Sequence, residues 1–81
     1  MARVSGRVDK DEHLIRLGKA IKAQRRSLQV TQEALADAAQ IDRAHMGKIE
    51  RGERNVTLLN LVKIAAAMRL RPSEILAAAD L

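Results

Sequence analysis

Residues 31–52 read TQEALADAAQIDRAHMGKIERG and hold two helix starts close together. Thr31 can cap a first helix that Gln32 and Glu33 open, and Asp42 can cap a second. Gly52, just past Arg51, suits a helix stop, because a residue without Cβ tolerates the left-handed backbone found there. Leu35, Ala36, Ala38 and Ala39 form the apolar face of the first helix, and Met46 and Ile49 are the inward anchors of the second. A helix of about eight residues is marginal by itself. Two in succession must be held by the rest of the chain, in a geometry that stability alone does not explain.

The flanks supply what holds them. Upstream, Leu14, Leu17, Ile21 and Leu28, with Ala20 and Ala23 between, recur at helical spacing, while Arg16, Lys19, Lys22 and Arg26 fill the other face. Downstream, Thr57 can cap a helix whose Leu58, Leu61, Val62, Ile64, Ala65 and Met68 are expected to bury almost all round. Pro72, suited to a first helical position, opens a short last helix through Ile75, Leu76 and Ala79. The expectation is an all-α fold of five helices and no strand over residues 12–81. Residues 1–11, with Arg3, Arg7 and Lys10, are expected to form a flexible basic arm.

Composition narrows the partners. A chain of 81 residues makes one domain, which buries only about 60% of its unfolded surface and would gain from self-association. Cysteine is absent, so neither a disulfide framework nor a thiolate zinc site is available. The N-terminus lacks the apolar run of a signal peptide, and no stretch approaches the ~18 apolar residues of a membrane span. A soluble, cytoplasmic protein with no membrane contact is expected. Phe, Tyr and Trp are also absent, which removes ring stacking on single-stranded bases. Net charge is +5, with Lys19, Lys22, Arg25, Arg26, Arg43, Lys48, Arg51 and Arg54 crowding the middle, while PSEILAAADL at the end holds no base. That asymmetry puts a polyanion contact in the middle and leaves the apolar C-terminus for something else. His13 and His45 stand in separate segments with no carboxylate cluster at ligand spacing, and no nucleophile, base partner or phosphate-binding glycine loop is apparent. Neither a metal, a cofactor nor an enzyme is expected.

Two short helices at roughly 90 to 120° joined by a tight turn form a helix-turn-helix, whose second helix lies in the DNA major groove. Residues 32–51 fit that description. Ala36 is small where the two helices should cross, and Ile41 is apolar in the turn. Outward on the second helix are expected Arg43, Ala44, Gly47, Lys48 and Arg51. Small residues let a helix approach base edges, and cations reach phosphates or guanine.

On the stretches TQEALADAA, IDRAHMGKIERG, RNVTLLNLVKIAAAM and RPSEIL, the chain resembles the Cro and phage-repressor type of helix-turn-helix regulators, the Xre family, over roughly residues 14–79. In size it is most similar to the controller proteins of restriction-modification systems. The resemblance implies a compact five-helix DNA-binding domain, acting as a homodimer on a double-stranded operator of two half-sites. It places Gln32 beside a backbone phosphate, Arg43, Ala44 and Lys48 among the base-reading side chains, and Arg25 opposite Glu50 as a structural ion pair. An unpaired inward carboxylate would be costly, so physical chemistry agrees with that pairing. Gln29 and Gln40 stand where this family commonly has glycine, and a left-handed non-glycine residue costs roughly 1 kcal/mol.

Each assignment has a plainer alternative. Arg43 suits guanine, and would serve otherwise as a phosphate clamp or a solvated cation. Lys48 can take a base or point into solvent. Ala44 offers only a methyl group to thymine. His45, at the edge of the inward face, suits a phosphate contact or simple packing. Arg51, Arg54 and Asn55 suit phosphates around the end of the recognition helix, and Arg3 and Arg7 could enter a minor groove. Ile75, Leu76 and Leu81 are the expected dimer contact. The functional expectation is a sequence-specific transcriptional regulator, a repressor or autoregulator. The second reading is an antitoxin that binds a partner toxin as well as DNA.

Overall fold

The computed structural model describes residue 9 and residues 12–81, which form five helices and no strand. They are α1 (His13–Ser27), α2 (Gln32–Ala39), α3 (Arg43–Glu50), α4 (Leu58–Ala67) and α5 (Pro72–Ala78). The basic arm expected over residues 1–11, with Arg3, Arg7 and Lys10, lies outside the described residues apart from Asp9.

Local chemistry sets each start. Thr31 accepts a hydrogen bond from the Ala34 N–H, Thr57 accepts from Asn60, and one Asp42 carboxylate oxygen accepts from both Ala44 and His45. Asp9 caps α1 from outside the helix, accepting from the N–H groups of His13 and Leu14 at 2.8 and 2.7 Å. Those bonds, the one from Leu14 first, hold its carboxyl below the usual range. Pro72 occupies the first turn of α5, and Glu74 accepts from the Arg71 N–H at 2.8 Å.

The helix ends share one device. After each helix a residue enters the left-handed region, and the next N–H returns to the helix: Val30 to the Arg25 carbonyl, Ile41 to Ala36, Glu53 to Lys48, Leu70 to Ala65, Leu81 to Leu76. The left-handed residues are Gln29, Gln40, Gly52, Arg69 and Asp80. Only Gly52 has no Cβ to strain, and there glycine is also needed for space, because a Cβ would lie 2.6 Å from the Ile15 Cα. Gln29 and Gln40 adopt φ of 58° and 57°, the conformation for which glycine is better suited.

Leu17, Ala20 and Ile21 of α1, Leu35, Ala36 and Ala39 of α2, Met46 and Ile49 of α3, Leu61, Ile64, Ala65 and Met68 on α4 and its end, and Ile75 and Ala79 close one core. α1 packs on α3 and α5, α2 on α3 and α4, and α4 on α5. Several apolar expectations do not hold. Ala23, Leu28 and Ala38 are exposed: Ala23 and Ala38 lie off the stripe that their helices bury, and Leu28 stands past the last residue of α1. α4 does not bury all round: Leu58 is 73% exposed, Leu59 64% and Val62 42%. Its buried edge is Leu61, Ile64 and Ala65, with Ala67 partly buried against the core. Ile75 is fully buried, so it packs the core and cannot be a dimer contact, while Leu76 is half-buried and Leu81 exposed.

Candidate nucleic-acid interface

The inner side of α3 is pinned from three directions. Met46 and Ile49 are fully buried. Glu50 follows them inward, its side chain only 2% exposed, and meets Arg25 of α1 in a two-pronged pair. Arg25 Nε donates to Glu50 Oε2 at 2.7 Å and Nη2 donates to Oε1 at 3.1 Å, while Nη1 donates to the Val30 carbonyl at 2.9 Å. A third donor comes from α2, where Gln32 Nε2 reaches Glu50 Oε1 at 3.0 Å. A buried carboxylate is tolerable only when its lone pairs are so occupied. One residue thus binds α1, α2 and α3 together.

Gly18 makes the approach of α1 possible. A Cβ there would sit 2.5 Å from the carbonyl oxygens of both Ile49 and Glu50. Nothing in the spacing of apolar residues marks this position, because closeness between two backbones leaves no trace in a hydropathy pattern.

The outer side of α3 is open. Arg43 and Ala44 are exposed, and so are Arg51, Arg54 and Asn55; His45 and Lys48 are half-buried. Gly47, expected to face outward, is buried, because the Gln32 and Arg51 side chains lie over it: a Cβ would meet Arg51 Nη1 at 3.1 Å and Gln32 Oε1 at 3.4 Å. Gln32 therefore turns its amide into the domain. Its backbone N–H, at the first position of α2, has no acceptor within the helix and remains suited to a phosphate.

Both outward arginines have carboxylate neighbours. Arg51 Nε donates to Glu53 Oε2 at 2.8 Å, which holds the Glu53 carboxyl below its usual range and raises the Arg51 guanidinium. Arg43 Nη1 lies 3.5 Å from Glu33 Oε2, across the turn between α2 and α3. The sequence could have suggested the second pair, since opposite charges stand in the first turns of two consecutive helices. Among the described residues no group of three or more His, Cys, Asp or Glu could hold a metal ion, and no helix is long and apolar enough to cross a membrane.

A short α2, a tight turn and an α3 anchored on one side and cationic on the other define a helix-turn-helix of the DNA-binding kind. The chain belongs to the Xre-type helix-turn-helix family: the family model described as helix-turn-helix matches residues 21–75. It is 39% identical over 62 residues to the control protein C.MunI of Mycoplasma sp, covering 75% of this chain and 84% of that one. Among solved structures it is similar to the restriction-modification controller protein C.AhdI from Aeromonas hydrophila, with 37% identity, a TM-score of 0.75, and coverage of 76% of this chain and 94% of that chain. The clp gene regulator ClgR from Corynebacterium glutamicum superposes with a TM-score of 0.81 at 25% identity, covering 84% of this chain and 72% of that chain. The protein is a DNA-binding transcriptional regulator. Controller proteins and a gene regulator as relatives favour that reading over the antitoxin.

Proposed function

We propose that this regulator is the controller of a restriction-modification system, binding as a homodimer to an operator of two half-sites and repressing or autoregulating transcription in the cytoplasm, without catalytic activity. The observation that carries the reading is α3, locked on its inner face by Glu50 and free on its outer face to present Arg43, Ala44 and Lys48 to base edges. Phosphate contacts then come from the ends of the motif: the start of α2 at Gln32, His45, and Arg51, Arg54 and Asn55 beyond α3. The similarity to control protein C.MunI and controller protein C.AhdI supports the regulatory assignment.

Surface chemistry supports the dimer. Exposed Leu58, Leu59 and Val62 on α4, with Leu76 and Leu81 at α5, give the chain apolar surface of the kind that marks interaction sites. Two copies would double the readout and set their recognition helices one DNA turn apart, about 34 to 36 Å. Sedimentation of Leu59→Glu and Leu81→Glu, free and on operator, tests this. The expected result is a folded monomer with weakened operator binding; a dimer untouched by both changes would place the contact elsewhere, and a wild-type monomer on a complete operator would end the proposal.

A further inference from the structure

We propose that Glu33 is a positioning residue that aims Arg43 at a base rather than at a phosphate, an inference that rests on Arg43 facing DNA as described above. The two side chains stand 67% and 64% exposed with Arg43 Nη1 3.5 Å from Glu33 Oε2. Their roots are fixed. Arg43 is the first residue of α3, behind the Asp42 cap, and Glu33 is the second residue of α2, behind the Thr31 cap.

An exposed ion pair contributes little to stability. A carboxylate on the DNA-facing side of a protein with net charge +5 also repels the phosphates that the other cations attract. Its effect on Arg43 is of a different kind. A free arginine side chain loses much rotamer freedom when it docks, and a tether that orders the guanidinium beforehand removes part of that loss. With Nη1 turned to Glu33, the edge formed by Nε and Nη2 is left for the O6 and N7 acceptors of guanine. Toward a phosphate the same tether works in reverse, since the guanidinium would exchange one anion for another while Glu33 is brought close to the second. Glu33 thereby separates the two roles open to Arg43 and favours the one that carries sequence information.

The test compares wild type, Glu33→Gln, Glu53→Gln, Arg43→Ala and the Glu33→Gln, Arg43→Ala double variant. The probes are an operator selected from random duplex DNA, its single-base variants and a random duplex, all at one salt concentration. Glu33→Gln is expected to narrow the ratio of operator to variant affinity about two- to fivefold at the position that Arg43→Ala affects, and only there, the size of an exposed pair's coupling. It should also bind the random duplex more tightly. Glu53→Gln makes the same charge change beside Arg51 and should tighten random-duplex binding without altering that ratio. In the Arg43→Ala background, Glu33→Gln should change the ratio no further. An unchanged ratio in Glu33→Gln overturns the inference, as does an equal loss with and without Arg43, which would mean that Glu33 touches DNA itself. If Arg43→Ala alters no position, the base-reading role of Arg43 fails first and the inference falls with it. Should Glu33→Gln lower the urea midpoint, the other base positions serve as reference, because general loosening would narrow the ratio at all of them.

Discussion

The two faces of α3 are built on opposite terms. Inward, Met46, Ile49 and Glu50 are buried, and the carboxylate takes three hydrogen bonds from two other helices. Outward, Arg43, Ala44 and Arg51 are exposed, and their polar partners, Glu33 and Glu53, are themselves on the surface. The first face fixes where the helix is. The second decides what it meets. Because the inner contacts do not involve the outer side chains, the outer chemistry can be changed without moving the scaffold, and that separation is what a sequence reader requires.

Breaking the inner face should give the largest effect. Arg25→Ala and Glu50→Ala are each expected to destabilise by about 3 to 5 kcal/mol, since the survivor is left charged and buried. The double variant should recover part of the loss, and urea midpoints read both. Matching midpoints in all three would show that the pair is not what holds α3. Gly18→Ala comes next, at about 1 to 3 kcal/mol, because its methyl would collide with two backbone carbonyls that cannot yield as a side chain can.

The turns give a smaller effect of opposite sign. Gln40→Gly should stabilise by up to about 1 kcal/mol, the relief of a left-handed non-glycine residue being partly offset by the freedom glycine gives the unfolded chain. A lowered midpoint would show that the Gln40 side chain contributes a contact of its own. The outer face sets the smallest. Glu53 has a folded carboxyl held below its ordinary value of 4.5 by Arg51, so its contribution is complete above that pH and is lost as pH falls through the folded value. Glu53→Gln should therefore lower the urea midpoint slightly at neutral pH, flatten the acid side of its plot against pH, and converge on wild type in acid. A steepened acid limb would contradict the pairing.

What the sequence discloses divides along the same line. Helix starts are written locally: Thr31, Asp42, Thr57 and Pro72 each announce a terminus with chemistry that acts within three residues, and all four stand at helix starts in the structure. The opposition of Arg25 and Glu50 is what the family resemblance implies, and the need of an inward carboxylate for a cation agrees with it. Contacts that depend on how helices lean are not written so. Leu58 and Val62 look like core because α4 has few polar residues to define an outer face, yet only one edge of it is covered. Ile75 and Leu76 are neighbours of similar hydropathy, and the packing of α5 on α1 and α4 decides that the first is core and the second half open. The inward turn of Gln32 depends on a Glu50 oxygen eighteen residues away in sequence, beyond the reach of any periodicity.

The separation of the two faces is tested most directly by selecting bound sequences from random duplex DNA with wild type and with Arg43→Ala. Wild type should enrich two half-sites one helical turn apart, about 10 to 10.5 base pairs between centres. Arg43→Ala should lose preference at one position per half-site, worth about 1 to 3 kcal/mol of discrimination, while half-site spacing and the urea midpoint remain those of wild type. Enrichment of the same sequences by both proteins, or a change in spacing, would contradict an account in which the outer face of α3 reads DNA from a scaffold that the inner face holds still.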